Sequence, residues 1–177
     1  MKILTLLRHA KSSWDDQVAR DFDRPLNRRG RKAARLMGRE MRARALGFDA
    51  VIASPAARVV ETLADVEDGY GRSLAPAFDE RIYLASAEAL LDLVHAADDG
   101  ADRLLLVGHN PGLEMLALTL TRDEGALRAE LGEKYPTATL AQITLPVERW
   151  RDAAEGQGTL TLFIRPRDLD PELGPEE

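Results

Sequence analysis

The chain has 177 residues, about one domain's worth, and is 45% hydrophobic, enough for a sizeable core. It has no cysteine, so disulfides, a thiolate nucleophile and a Cys-ligated metal are excluded. The formal charge of −6 argues against a nucleic-acid partner, and it hides an asymmetry. Residues 1–62 carry fourteen Lys/Arg against seven Asp/Glu, while the remainder carries ten against twenty-three.

Residues 2–7 (KILTLL) predict a buried strand. One Lys before a handful of apolar residues is too short for a secretory leader, and no apolar run approaches the roughly 18 residues of a membrane span. A cytoplasmic protein with no membrane partner is the expectation. The strand stops at Arg8-His9, two groups that are expensive to bury unpaired, so the pair belongs at the strand's exit. Residues 15–25 read as a polar loop. Asn27 suits an N-cap for a helix to about Ala45, with Ala33, Met37, Met41 and Ala45 as its apolar stripe. Most of the early arginines (Arg28, Arg29, Arg31, Arg35, Arg39, Arg42, Arg44) read as the solvated face of that helix.

Asp49–Ala53 predicts a second strand. Ser54-Pro55 then reads as N-cap and first helical residue of a helix to about Asp68, which puts Arg58 in its first turn. A cation there is unfavourable unless an anion binds beside it, so Arg58 suits a phosphate seat. Residues 73–78 predict a third strand, and Ser86 caps a helix with Leu90, Leu91 and Val94 inside. His95, at the edge of that apolar face, reads as structural. Arg103–Val107 is the clearest buried strand. It leads into Gly108-His109-Asn110-Pro111, with Asn110 as N-cap and Pro111 as first helical residue. Residues 138–145 and 159–164 predict two more strands. From Pro166 to Glu177 the chain is acidic and Pro-rich and reads as a disordered tail. There is no repeat and no linker, so residues 1–165 form one domain.

Alternating strands and helices predict an α/β, three-layer α/β/α sandwich with a mostly parallel central sheet. Ligands in such sheets bind beyond the carboxyl ends of the strands. Three strand ends here carry polar groups: Arg8-His9, Ser54 with Arg58, and His109-Asn110. A zinc site of His9, His109 and a carboxylate is disfavoured, because Arg8 and Arg58 repel a dication and no close ligand spacing appears.

These motifs resemble the histidine phosphatase superfamily, which includes the phosphoglycerate mutases. LLRHAKSSW is similar to its opening Arg-His motif. Asp23-Arg24-Pro25-Leu26 followed by Gly30 is similar to a segment of the short SixA-type phosphohistidine phosphatases. Ser54-Pro55 with Arg58 and Thr62, and Gly108-His109-Asn110-Pro111, resemble the two later motifs in the same order. The resemblance implies a phosphoglycerate mutase-like fold, no cofactor and no metal. His9 becomes the nucleophile, with Arg8, Arg58 and His109 as the phosphoryl pocket and Ser12 and Asn110 as further substrate contacts. It also suggests Glu80 as a general acid, against the plainer reading of a surface carboxylate. Ala10, Lys11 and Asp15 depart from the common pattern.

Little chain between Glu80 and His109 is left for a lid, which predicts an open pocket and a phosphohistidine on a protein as substrate. A small phosphorylated metabolite is the alternative substrate, and a non-catalytic phosphate-binding module is the alternative of another class.

Overall fold

The computed structural model describes residues 1–15, 17, 18 and 20–175. The six strands are β1 (Lys2–Arg8), β2 (Ala50–Ala53), β3 (Ala77–Phe78), β4 (Arg103–Gly108), β5 (Leu140–Leu145) and β6 (Thr159–Ile164). They form one sheet in the order β3-β2-β4-β1-β5-β6. The neighbours β3, β2, β4 and β1 run parallel, while β5 is antiparallel to β1 and to β6. The first strand made is thus central, and both its partners come from the second half of the chain. Leu4 and Leu6 of β1 enter one apolar layer and Leu7 the other, as alternation along a strand requires.

The helices are α1 (Arg28–Ala43), α2 (Ala57–Tyr70), α3 (Ala87–His95), α4 (Gly112–Leu120), α5 (Ala126–Glu133) and α6 (Pro166–Leu169). Met37 and Met41 of α1 and Val59, Leu63 and Val66 of α2 cover one face of the sheet. Leu90 and Val94 of α3, Leu113 and Leu116 of α4 and Leu131 of α5 cover the other. This is the expected three-layer α/β sandwich with a largely parallel sheet. No helix among the described residues is long and apolar enough to cross a membrane.

Several local expectations are corrected. The predicted strand at 73–78 is reduced to Ala77–Phe78. On α3, Leu93 rather than Leu91 is buried with Leu90 and Val94. Helix α2 starts later than Ser54-Pro55 suggests, with Ala56 as N-cap; the Ser54 hydroxyl accepts from the Ala56 amide at 3.3 Å and meets His109. Pro111, not Asn110, is the N-cap of α4.

The tail is corrected most. Residues 166–169 form α6 and Pro171–Leu173 a 3-10 turn. Leu169 and Leu173 pack on the α1–α2 layer, and Lys32 of α1 pairs with Asp170 at 3.1 Å. Arg29 donates to the Gly174 carbonyl. Glu176 and Glu177 of the expected tail, and Asp16 and Ala19 of the expected loop, lie outside the described residues.

Candidate active site

At the carboxyl ends of β1, β2 and β4 the chain gathers His9, Ser54 and His109, all buried. The His9 amide donates to the Gly108 carbonyl at 3.0 Å, which holds the exits of β1 and β4 side by side. The two imidazoles lie 5.3 Å apart, centroid to centroid. His9 Nδ1 is 2.7 Å from the Ala10 carbonyl oxygen. A carbonyl only accepts, so Nδ1 carries the proton, and in the neutral ring the lone pair is left on Nε2. His109 Nε2 is 2.7 Å from Ser54 Oγ.

The loop after His9 is held tightly. Thr62 Oγ1 accepts from the Ala10 amide at 2.9 Å and donates to the Arg58 carbonyl at 2.6 Å, tying the loop to α2. Ser12 bridges Leu26, and the Asn27 amide donates to the Lys11 carbonyl. Gly30 permits this approach, since a Cβ there would stand 2.1 Å from the Lys11 carbonyl oxygen.

The cations are placed with equal care. Arg8 donates through one terminal nitrogen to the Tyr135 carbonyl at 2.9 Å, and Asn110 Nδ2 donates to the same oxygen at 3.0 Å. Arg58, second residue of α2 and 2% exposed, donates to the Asp21 backbone carbonyl at 2.9 Å and to its carboxylate at 3.1 Å. Among the described residues, Arg8 Nε, Arg58 Nε and His109 Nδ1 are buried with no hydrogen-bond partner. Buried donors are rarely left this way unless a ligand completes them. All three belong to this site, and two guanidinium N–H groups can meet one anion.

Burial holds the His9 imidazole down to about 3, and the neighbouring His109, Arg8 and Arg58 act in the same direction. Burial, then Arg58, holds His109 at about 4. Both rings are therefore neutral at pH 7.

Arg8, His9, Ser12, Arg58, His109 and Asn110 all line one cavity of about 500 Å³. Glu80 does not. It lies exposed on a 3-10 turn (Glu80–Ile82), outside the cavity lining. Buried Ile82 anchors that turn, and Tyr83 after it packs edge-on against His109 at 5.4 Å, itself outside the cavity lining. Asp15 is likewise exposed and outside the lining. His95 lies apart, bonded to the Ala153 carbonyl at 2.8 Å. No group of His, Asp and Glu among the described residues is arranged to hold a metal.

Asp21 and Tyr83 escape sequence reasoning. The Asp21 carboxylate accepts from Tyr83 Oη at 2.7 Å, from Arg24 and from Arg58. The Tyr83 hydrogen bond, then the two guanidiniums, hold it at about 2. The i,i+3 spacing of Asp21 and Arg24 is the one local signal of this arrangement.

The family model described as "Histidine phosphatase superfamily (branch 1)" matches residues 4–85. Rv1276c of Mycobacterium tuberculosis, an uncharacterized protein, is 35% identical over 91% of this chain and 100% of its own length. A candidate phosphohistidine phosphatase SixA from Agrobacterium tumefaciens is 30% identical in sequence, with a TM-score of 0.75 over 93% of this chain and 97% of that one. The chain belongs to the histidine phosphatase superfamily. A second superfamily structure, also a candidate SixA phosphohistidine phosphatase, from Nakamurella multipartitia, is 28% identical with a TM-score of 0.81 over 93% of this chain and 96% of that one. Within the superfamily fold, the parallel strand exits carry the two buried imidazoles, and the arginines reach them from β1 and α2.

Proposed function

We propose that this histidine phosphatase hydrolyses phosphohistidine on a protein, carrying the phosphoryl group in transit on His9. The observation that carries the reading is that, among the described residues, no protonated carboxyl group lines the cavity. Asp21 is the one carboxyl group described there, and the Tyr83 hydrogen bond and its ion pairs keep it ionised. Expelling an alkoxide from an ester needs an acid worth about 10²–10⁴ in rate. An imidazole leaving group is far better and takes its proton from solvent. The likeness to the two candidate SixA structures supports the same substrate class.

In this mechanism the His9 Nε2 lone pair attacks phosphorus, the substrate's P–N bond breaks, and the electron pair leaves with the substrate imidazole. The guanidiniums of Arg8 and Arg58, with His109, hold the equatorial oxygens. Phosphoryl transfer needs chiefly this positioning and charge stabilisation. Water then attacks phospho-His9 and the electron pair returns to Nε2. Ser12 and Asn110 frame the seat, and no step requires a metal.

The test is orthophosphate release from a histidine-phosphorylated protein in the presence of EDTA, with an alkaline quench to trap the enzyme. The expected result is an acid-labile phosphoryl group on His9 and loss of turnover in His9→Ala. Label on another residue, or near wild-type turnover in His9→Ala, overturns the mechanism. Activity lost to EDTA and restored by a divalent cation overturns its metal independence.

A further inference from the structure

The cavity is much larger and more cationic than one phosphoryl group requires. Among the described residues it is lined by Arg8, Lys11, Arg24, Arg29, Arg58, Lys134, Arg165 and Arg167, against Asp21 as the sole acid. Some of this charge is already committed. Arg24 and Arg58 hold Asp21, and Arg165 pairs with Asp168 at 3.0 Å and Glu130 at 3.3 Å. Lys134, at the end of α5, and Arg167, on α6, have no ion pair among the described residues. The folded C-terminal segment adds Pro166, Leu173, Gly174 and Pro175 to the wall of the cavity. Lys134 and Arg167 add positive charge to the same lining, and nothing in the hydrolysis of phosphohistidine uses them.

Two features must be satisfied together. The leaving group must depart without a carboxylic acid to protonate it, and the unpaired cations of the lining must receive negative charge. A phosphoanhydride does both, since its leaving group is itself a phosphate. We infer that the site also hydrolyses terminal phosphoanhydrides, with the leaving phosphate held by Lys134 and Arg167. The inference rests on the phosphatase reading of His9. Nε2 bonds to the terminal phosphorus as the bond from phosphorus to the bridging oxygen breaks, and that oxygen keeps the electron pair on the shortened phosphate. Water then adds to phospho-His9, the P–N bond returns its pair to Nε2, and the water protons pass to the released orthophosphate and to solvent. Anhydride and water yield two phosphates, with no other reactant.

The experiment measures kcat/KM with EDTA present for phosphoramidate, pyrophosphate, tripolyphosphate, ADP and glycerol 2-phosphate. The proteins are the wild type and K134E/R167E. The expected wild type turns over phosphoramidate and at least one anhydride, and prefers that anhydride to glycerol 2-phosphate by roughly 10² or more. In K134E/R167E the anhydride-to-phosphoramidate ratio of kcat/KM falls by roughly tenfold or more. The ADP and tripolyphosphate arms tell a nucleotide from an inorganic chain. Phosphoramidate turnover with no anhydride turnover overturns this inference alone, and so does a ratio unchanged in the variant. Failure on phosphoramidate as well removes the phosphatase reading beneath it.

Discussion

Asp21 sets its carboxylate 3.1 Å from a terminal nitrogen of Arg58, a cation that lines the cavity. It is both an anchor for the guanidinium and a like charge for an arriving phosphate. At about 4 Å in water two unit charges interact by about 1 kcal/mol. Asp21→Asn should therefore tighten inhibition by orthophosphate by roughly fivefold. Weaker inhibition in that variant would mean that anchoring Arg58 outweighs the repulsion. Because Asp21 is held at about 2, its contribution to stability is complete above the ordinary carboxylate range and is lost as pH falls toward 2.

The two imidazoles predict the pH profile. His9 and His109 are held at about 3 and about 4, against about 6.5 for the unfolded chain. The acid limb of kcat/KM due to the free enzyme should then lie below pH 5 rather than near 6.5. Stability has the matching sign. The unfolded chain takes up protons first, so stability is lost progressively as pH falls from about 6.5 through the folded values. His9→Asn should flatten the slope of that loss in urea titrations at several pH values. An unchanged slope would contradict the assignment.

Arg58→Ala should lower kcat/KM by roughly 10²–10³, the usual effect of removing one preorganised donor. Arg39→Ala, on the exposed face of α1, should be nearly neutral. Equal losses would mean that the early arginines act only as a diffuse field.

Glu80→Gln should leave kcat/KM on phosphoramidate and on glycerol 2-phosphate within about twofold of wild type, since the side chain lies outside the cavity. A selective loss on the ester would restore Glu80 as a proton donor.

Truncation after Arg165 should be harmful, contrary to what the composition of the segment suggests. It uncovers the apolar surface beneath Leu169 and Leu173 and removes one wall of the cavity. Two partly buried leucines represent about 1–3 kcal/mol, or a Tm lower by roughly 3–10 °C. A Tm equal to that of the full chain would show that the segment adds nothing to stability.

What the residues disclosed depended on how local the cause was. β1, α1, β2 and β4 were legible because their apolar spacing and caps lie within the element, Asn27 among them. Helix α5 was missed because it buries only Leu131 and so shows no stripe. The tail was misjudged because two leucines among acids and prolines look like solvated chain until α1 supplies Arg29 and Lys32. That His9, Arg8, Arg58 and His109 meet in one cavity was legible from motifs at strand exits. Asp21 was not, since its partners Arg58 and Tyr83 lie 37 and 62 residues away. Glu80 was misplaced because a carboxylate beside a motif carries no sign of which way its turn faces.

The position of β1 has a consequence for how the protein is born. This strand is synthesised well before its neighbours, Arg103–Gly108 and Leu140–Leu145. Until both have been synthesised, its edges have nothing to pair with, and His9 has no Gly108 carbonyl to hold it. Long-range pairing of this kind is slow and leaves exposed edges in the meantime. A nascent chain stalled before about residue 145 would thus present an aggregation-prone strand, and its candidate site would still lack the β5 side of the sheet.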